Sequence, residues 1–233
     1  MARESAHVTT HGEPTMTSPR QVIFDMDGTL LDTERVCLRH FGETRAFFGL
    51  EPADDVFLQC IGLSSADSKA IIADSLPGRV DLGAFCDRWD RAIAAHLRRD
   101  VPVLPGVVAF VEILAARGVA MAVATSTHTD PATAHLRDVG LLEHFTVVVG
   151  GDQVVRRKPD PEIYLKVAGD LGWDIRDCVV FEDSDAGVRA GQSAGALTVQ
   201  VPDLRPVSDT VRAMGHVIAP SLHEGARRVG LLD

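Results

Sequence analysis

Asp25 and Asp27 stand one residue apart at the end of the apolar run Val22-Ile23-Phe24, and Gly28-Thr29 follow them. Like charges that close raise each other's pKa and cost stability unless a cation lies between them. A second apolar run, 178–181, ends in Glu182-Asp183, and a third, 119–124, ends in Thr125-Ser126. Four carboxylates gathered at one place suit a hard divalent cation such as Mg²⁺, held by carboxylates, a backbone carbonyl and waters. That cation, a hydroxyl pair and the lysine of "RRKPDPEIY", Lys158, together make a phosphate site. A calcium EF-hand loop does not fit, because counting from Asp25 the required glycine position holds Leu30 and the closing acid position holds Val36.

These residues need a frame that brings distant segments to one edge. Residues 21–25 read as a buried strand. From Val101 onward, continuous apolar runs alternate with helical patterns: strands in "GVAMAVATS", "FTVVVG", "CVVFED" and "ALTVQV", and helices over 107–117, "DPATAHLRDVG", "DPEIYLKVAGDLG" and "DAGVRAGQSAG", with "HVIA" and "SLHEGARRVGLL" closing the chain. Such alternation predicts an α/β chain with a Rossmann-like three-layer core around a parallel sheet, in which the carboxyl ends of all strands share one edge and ligands bind there. Asp160 is expected as an N-cap with Pro161 in the first turn, and Ser184 and Asp185 as caps of the following helix. Between Thr33 and about Arg99 the periodicity is helical throughout, in "ERVCLRHFGETRAFFGL", "SSADSKAIIADSL" and "LGAFCDRWDRAIAAHLRR". The expected division is a polar, disordered tail over 1–19, an α/β core over 20–31 and 101–233, and a small all-helical domain over 32–100.

Bulk composition narrows the function classes. The 233 residues are 45% hydrophobic and 24% charged, with a net charge of −10, which disfavours a nucleic-acid surface and leaves no polybasic membrane patch. No apolar run approaches the ~18 residues of a membrane span, and the start lacks the apolar segment of a secretory signal, so a cytoplasmic location is expected. Cys37, Cys60, Cys86 and Cys178 form no CxxC pair and read as reduced thiols. Glu34 reads either as a residue that contacts substrate from the cap or, more commonly for its place, as a first-turn acid favoured by the helix dipole, His128 as a candidate for the crevice, and Trp89 and Trp173 as packing residues.

The four motifs together resemble the haloacid dehalogenase superfamily: "DMDGT" its first motif, "ATST" with Thr125 its second, Lys158 in "KPDP" its third, and "FEDSDAG" its fourth, in that order over about residues 21–220. The helical insert after the first motif resembles the cap of the beta-phosphoglucomutase-like branch. The resemblance implies that Asp25 is a nucleophile forming an aspartyl-phosphate and that Asp27 protonates the leaving oxygen and then deprotonates water. It implies that Thr125, Ser126, Lys158 and Gly28 serve the phosphoryl group, and that the Gly28–Thr29 turn lets the cap pivot. Mg²⁺ would sit on Asp25, the Asp27 carbonyl, Glu182 and Asp183. The expected function is a Mg²⁺-dependent phosphatase acting, as a monomer, on a small phosphorylated metabolite such as a sugar phosphate. The alternative is a phosphomutase of the beta-phosphoglucomutase type. Such enzymes carry a histidine where this chain has Cys37 and a cap-loop arginine where it has Ser65, with Lys69 the only nearby cation. A non-enzymatic phospho-acceptor receiver domain uses similar groups but in another order.

Overall fold

The structure, a computed structural model, describes residues 21–63 and 65–233. The expected tail, Ser64, and the side chains of Ser65 and Ala66 lie outside the described residues. Six strands form one all-parallel sheet: β1 Gln21–Phe24, β2 Ala120–Ala124, β3 Val148–Val149, β4 Cys178–Glu182, β5 Leu197–Gln200 and β6 Val217–Ile218, in the order β3-β2-β1-β4-β5-β6. β1 is central, with Phe24 level with Val123 of β2 and Phe181 of β4. Strand order reverses beside β1, where the ends of β1, β2 and β4 come together, the place where open α/β sheets bind ligands.

The helices are α1 Thr33–Phe47, α2 Asp54–Cys60, α3 Ser65–Ser75, α4 Leu82–Leu97, α5 Val107–Ala116, α6 Thr129–Asp138, α7 Glu162–Leu171, α8 Asp185–Ala194, α9 Asp209–Arg212 and α10 Leu222–Arg228. Alternate strand residues face opposite sides of a sheet. Val22, Phe24, Val179 and Phe181 accordingly pack under α5, α6 and α10, while Ile23, Ala122 and Val180 pack under α7 and α8. Phe24 stacks on Phe181 at 5.4 Å and meets Phe110 edge-on at 6.1 Å, which locks the strand that carries Asp25. α8 starts as its sequence predicts, with the Ser184 hydroxyl accepting the Gly187 N–H at 3.1 Å, and it ends at Gly195 with φ 90°.

Helices α1–α4 bury Phe41, Phe57, Ile72 and Phe85 in a cluster of their own, separate from both sheet faces. One core loop reaches that cluster: Leu204 packs against it, Arg205 donates to the Ile61 carbonyl at 3.3 Å, and Asp203 takes a two-pronged bond from Arg35 at 2.8 and 2.9 Å.

Some boundaries differ from the expectation. β1 stops at Phe24, one residue short, although the Asp25 amide still bonds the Phe181 carbonyl at 2.9 Å. α7 begins at Glu162, with Pro161 at the N-cap, and Asp160 serves by accepting the Glu162 amide at 3.0 Å. Asp185 is the first residue of α8 and accepts from the Ser208 amide at 3.4 Å instead of capping its own helix.

Candidate active site

Asp25, Asp27, Ser126, Lys158 and Asp183 meet in a recess of about 120 Å³ at the carboxyl edge of the sheet. Each arrives by its position in an element: Asp25 directly after β1, Ser126 two residues past β2, Asp183 directly after β4, and Lys158 from the loop before α7. The buried Lys158 ammonium donates to Asp25 Oδ1 at 2.6 Å, Glu182 Oε1 at 2.7 Å and the Ala124 carbonyl at 3.0 Å. Burial works against that charge, but Asp25 and Glu182 more than offset it and hold the lysine pKa well above its usual value. Glu182 is fully buried and saturated: Tyr164 also donates to Oε1, and Ser184 donates from its amide and its hydroxyl to Oε2 at 3.3 and 3.1 Å. Gly187 is required beneath it, since a Cβ there would drive into the Glu182 carboxylate.

The two aspartates of the first motif serve different sets. Asp27 Oδ1 accepts from the Thr33 hydroxyl at 2.6 Å, and Oδ2 accepts from Thr127 at 2.7 Å and Thr125 at 3.2 Å. The strand ends before either residue, and both line the same recess.

Thr125 is fully buried, with its hydroxyl turned to Asp27 and its amide spent on the Val149 carbonyl at 3.0 Å, not directed at the recess. Ser126 is exposed and lines the recess. Gly28 does not line it: its N–H goes to the Leu31 carbonyl at 2.9 Å. Its φ is 80°, and a Cβ there would come within 2.6 Å of Asp183 Oδ2, so what its backbone supplies is a tight passage beside that acid.

Glu34 enters the site instead of merely favouring its helix dipole. It lines the recess, and its Oε2 is buried with no hydrogen-bond partner. Burial, reinforced by Asp27 and Asp25, pushes its pKa up to about 8. Burial likewise raises Asp25 and Asp183 well above the carboxylate range, with Lys158 pulling in the other direction. Thr33, Thr127 and Tyr164 are the residues that sequence reasoning missed. His128 is exposed and lines neither the recess nor the cleft beside it.

Asp25, Glu182 and Asp183 each bring one oxygen within 4.8 Å of the others, a donor set of hard oxygens that fits a divalent cation. Among the described residues no donor reaches the Asp183 carboxylate, and Lys158 is the one cation lining the recess, against Asp25, Asp27, Glu34 and Asp183. A phosphate dianion added to that balance calls for further positive charge.

Residues 22–201 match the model of the family described as haloacid dehalogenase-like hydrolase. The chain is 35% identical over 174 residues to a phosphorylated carbohydrates phosphatase of Thermotoga maritima, covering 75% of this chain and 81% of that one. It is 33% identical over 180 residues to the fructose-1-phosphate phosphatase YqaB of Escherichia coli, covering 77% and 95%. The crystal structure of CbbY from Rhodobacter sphaeroides in complex with phosphate superposes with a TM-score of 0.68 at 25% identity, covering 87% of this chain and 94% of that one. The chain belongs to the haloacid dehalogenase-like hydrolase family, in its beta-phosphoglucomutase-like branch. It is an enzyme, a hydrolase of phosphoric monoesters, and the receiver-domain alternative falls away. Among the described residues no helix is long and apolar enough to cross a membrane.

Proposed function

We propose that the chain is a Mg²⁺-dependent phosphatase that hydrolyses a small phosphate monoester, of the sugar-phosphate kind, through an aspartyl-phosphate on Asp25. The observation that carries this reading is the recess itself, where the Asp25 carboxylate stands 2.6 Å from the Lys158 ammonium and beside Glu182 and Asp183. In this reading residues 20–31 and 101–233 are the catalytic core and 32–100 the cap.

Asp25 attacks phosphorus, an O–P bond forms, and the ester P–O bond breaks. Asp27 passes its proton to the departing alkoxide, then takes one from the water that cleaves the acyl phosphate and frees Asp25. Threonine hydroxyls accept as well as donate, so Thr33, Thr125 and Thr127 can hold Asp27 in either form. Lys158 and the Ser126 edge steady the phosphoryl oxygens. Asp25, Glu182, Asp183 and the Asp27 carbonyl would hold Mg²⁺, which when bound offsets repulsion between the anionic nucleophile and the anionic ester. Glu182 contributes equally by keeping Lys158 in place.

Cys37 supports hydrolysis over phosphoryl transfer to a second position. Burial, with Asp27 and Glu34 near it, pushes this thiol up to about 12. It stays neutral where mutases of the branch carry a histidine. Free phosphate released from a hexose monophosphate, without a bisphosphate activator, is the expected result of the direct assay. Isomerisation without release would overturn the reading.

The acid cluster gives a second expectation. In the metal-free chain the charged forms of Glu34, Asp25 and Asp183 are disfavoured. The folded state therefore binds more protons than the unfolded one above the ordinary carboxylate pKa of about 4, and stability falls as pH rises toward about 8. The melting temperature of chelator-treated protein should drop over that window, and Mg²⁺ should raise it more at its upper end. An equal increment at both ends would count against a cation among these acids.

A further inference from the structure

We propose that the alcohol half of the substrate carries a flat, uncharged aromatic ring and no second anionic group, as a nucleoside 5′-monophosphate does; this rests on the phosphatase reading above. A cleft of about 690 Å³ runs outward from Asp27 and Thr127, between α6 and helices α1, α2 and α4. It shares Asp27 and Glu34 with the phosphate-sized recess, so whatever is esterified to the phosphate lies along it. Phe57, Ile61, Trp89, Ile93 and Leu97 line the side that the helical insert supplies. The Trp89 indole N–H is already donated to the Cys37 carbonyl at 2.9 Å, and Phe41 and Phe57 brace the ring at 5.3 and 5.9 Å. What Trp89 has left to offer is ring surface, which favours a flat partner.

Charge points the same way. Beyond Asp27, the cleft carries Glu34, Asp90 and Asp138 against the single guanidinium of Arg98, which is exposed. Lys69, the cation nearest the place where a distal phosphate would be gripped, is exposed and does not line the cleft. A carboxylate or second phosphate would enter against Asp90 and Asp138, beside a Glu34 whose charged form burial disfavours, whereas a neutral ring meets no such opposition. Size agrees: a volume of about 690 Å³ lies in the range of sites for drug-sized ligands, and a two-carbon acid would leave most of it to water.

The test compares kcat/KM of the full chain with Mg²⁺ on esters of primary alcohols: uridine 5′-monophosphate, benzyl phosphate, glucose 6-phosphate, phosphoglycolate and fructose 1,6-bisphosphate. The two ring-bearing monoesters should exceed the other three by about tenfold or more. If none of the five is hydrolysed, the phosphatase reading itself fails. If glucose 6-phosphate, phosphoglycolate or the bisphosphate equals the ring-bearing esters, the ring inference is overturned while the phosphatase reading stands. Trp89→Ala should raise KM for uridine 5′-monophosphate by about tenfold with kcat little changed; an unchanged KM overturns the inference. Should that variant not fold, Ile93→Lys, at a half-buried position on α4, should shift the phosphoglycolate-to-uridine-monophosphate ratio upward by about tenfold. An unmoved ratio there also overturns it.

Discussion

Asp25→Asn is expected to lower the rate of phosphate release by on the order of 10⁴-fold or more, the scale on which nucleophile removal acts when the remaining machinery stays intact. An amide keeps the shape and can still accept the Lys158 N–H that Oδ1 accepts at 2.6 Å, but it has no lone pair basic enough to attack phosphorus. The fold should not suffer. Asp25 is buried in a crowd of acids, and burial is the largest influence disfavouring its charge. Removing that charge leaves Lys158 with Glu182 and relieves the cluster, so the metal-free melting temperature should hold or rise. Loss of turnover with undiminished stability separates a chemical role from a structural one. Activity within tenfold of the parent, or failure to trap phosphate on the parent protein after rapid acid quench, would remove Asp25 from the nucleophile's place.

Lys158→Met is expected to damage both chemistry and stability. The ammonium is the shared partner of Asp25 and Glu182, and the side chains of all three are at most 9% exposed. Taking one member out of a buried ionic set leaves uncompensated charge, typically at a cost of about 3–5 kcal/mol. Part of that loss is avoidable through protonation of the stranded carboxylates, so the loss should grow as pH rises. The rate should fall by about 10²–10³-fold, as when one preorganised electrostatic contact is removed from a transition state. Urea unfolding at two pH values, with and without Mg²⁺, measures the first effect, and steady-state release measures the second. Adding Glu182→Gln to Lys158→Met should recover stability relative to the sum of the single changes, because the two side chains are in direct contact. Strict additivity would mean that the 2.7 Å pair does not carry the energy assigned to it.

The sheet was legible because buried parallel strands are continuous apolar runs, and β1, β2, β4 and β5 are bounded by turn-forming or charged residues. The seven-residue α2 and four-residue α9 went unread. Neither is long enough for a helical period to repeat, and α2 opens on Asp54-Asp55. β3 is only two residues long and is held by pairing with β2. In the site, Asp25, Glu182 and Asp183 were visible because charged residues at the ends of apolar runs are costly without a reason, and Lys158 because a phosphate site needs positive charge and Pro159 stiffens the loop that carries it. Thr33, Thr127 and Tyr164 were not. A threonine in a first turn, another after a Thr-Ser pair, and a tyrosine on the buried side of α7 have ordinary local explanations, and only the assembled sheet shows that they hold Asp27 and Glu182. Glu34 stayed between two readings for the same reason: its first-turn position is satisfying locally, while its burial beside Asp27 depends on how α1 leaves the Gly28 turn.

The loop holding Asp203, Leu204 and Arg205 gives no side chain to the recess, yet it sets the resting angle of everything above it. Any swing of α1 and α2 away from the sheet has to unzip the Arg35–Asp203 fork, lift Leu204 out of the aromatic cluster and free the Ile61 carbonyl from Arg205. The ionic member of this latch is half open to solvent, with Arg35 44% exposed, so dissolved electrolyte weakens that contact. Were α1 and α2 to swing so that a spent molecule leaves, the ease of that step would be set in part at this loop, by a stretch of chain with no part in breaking the bond.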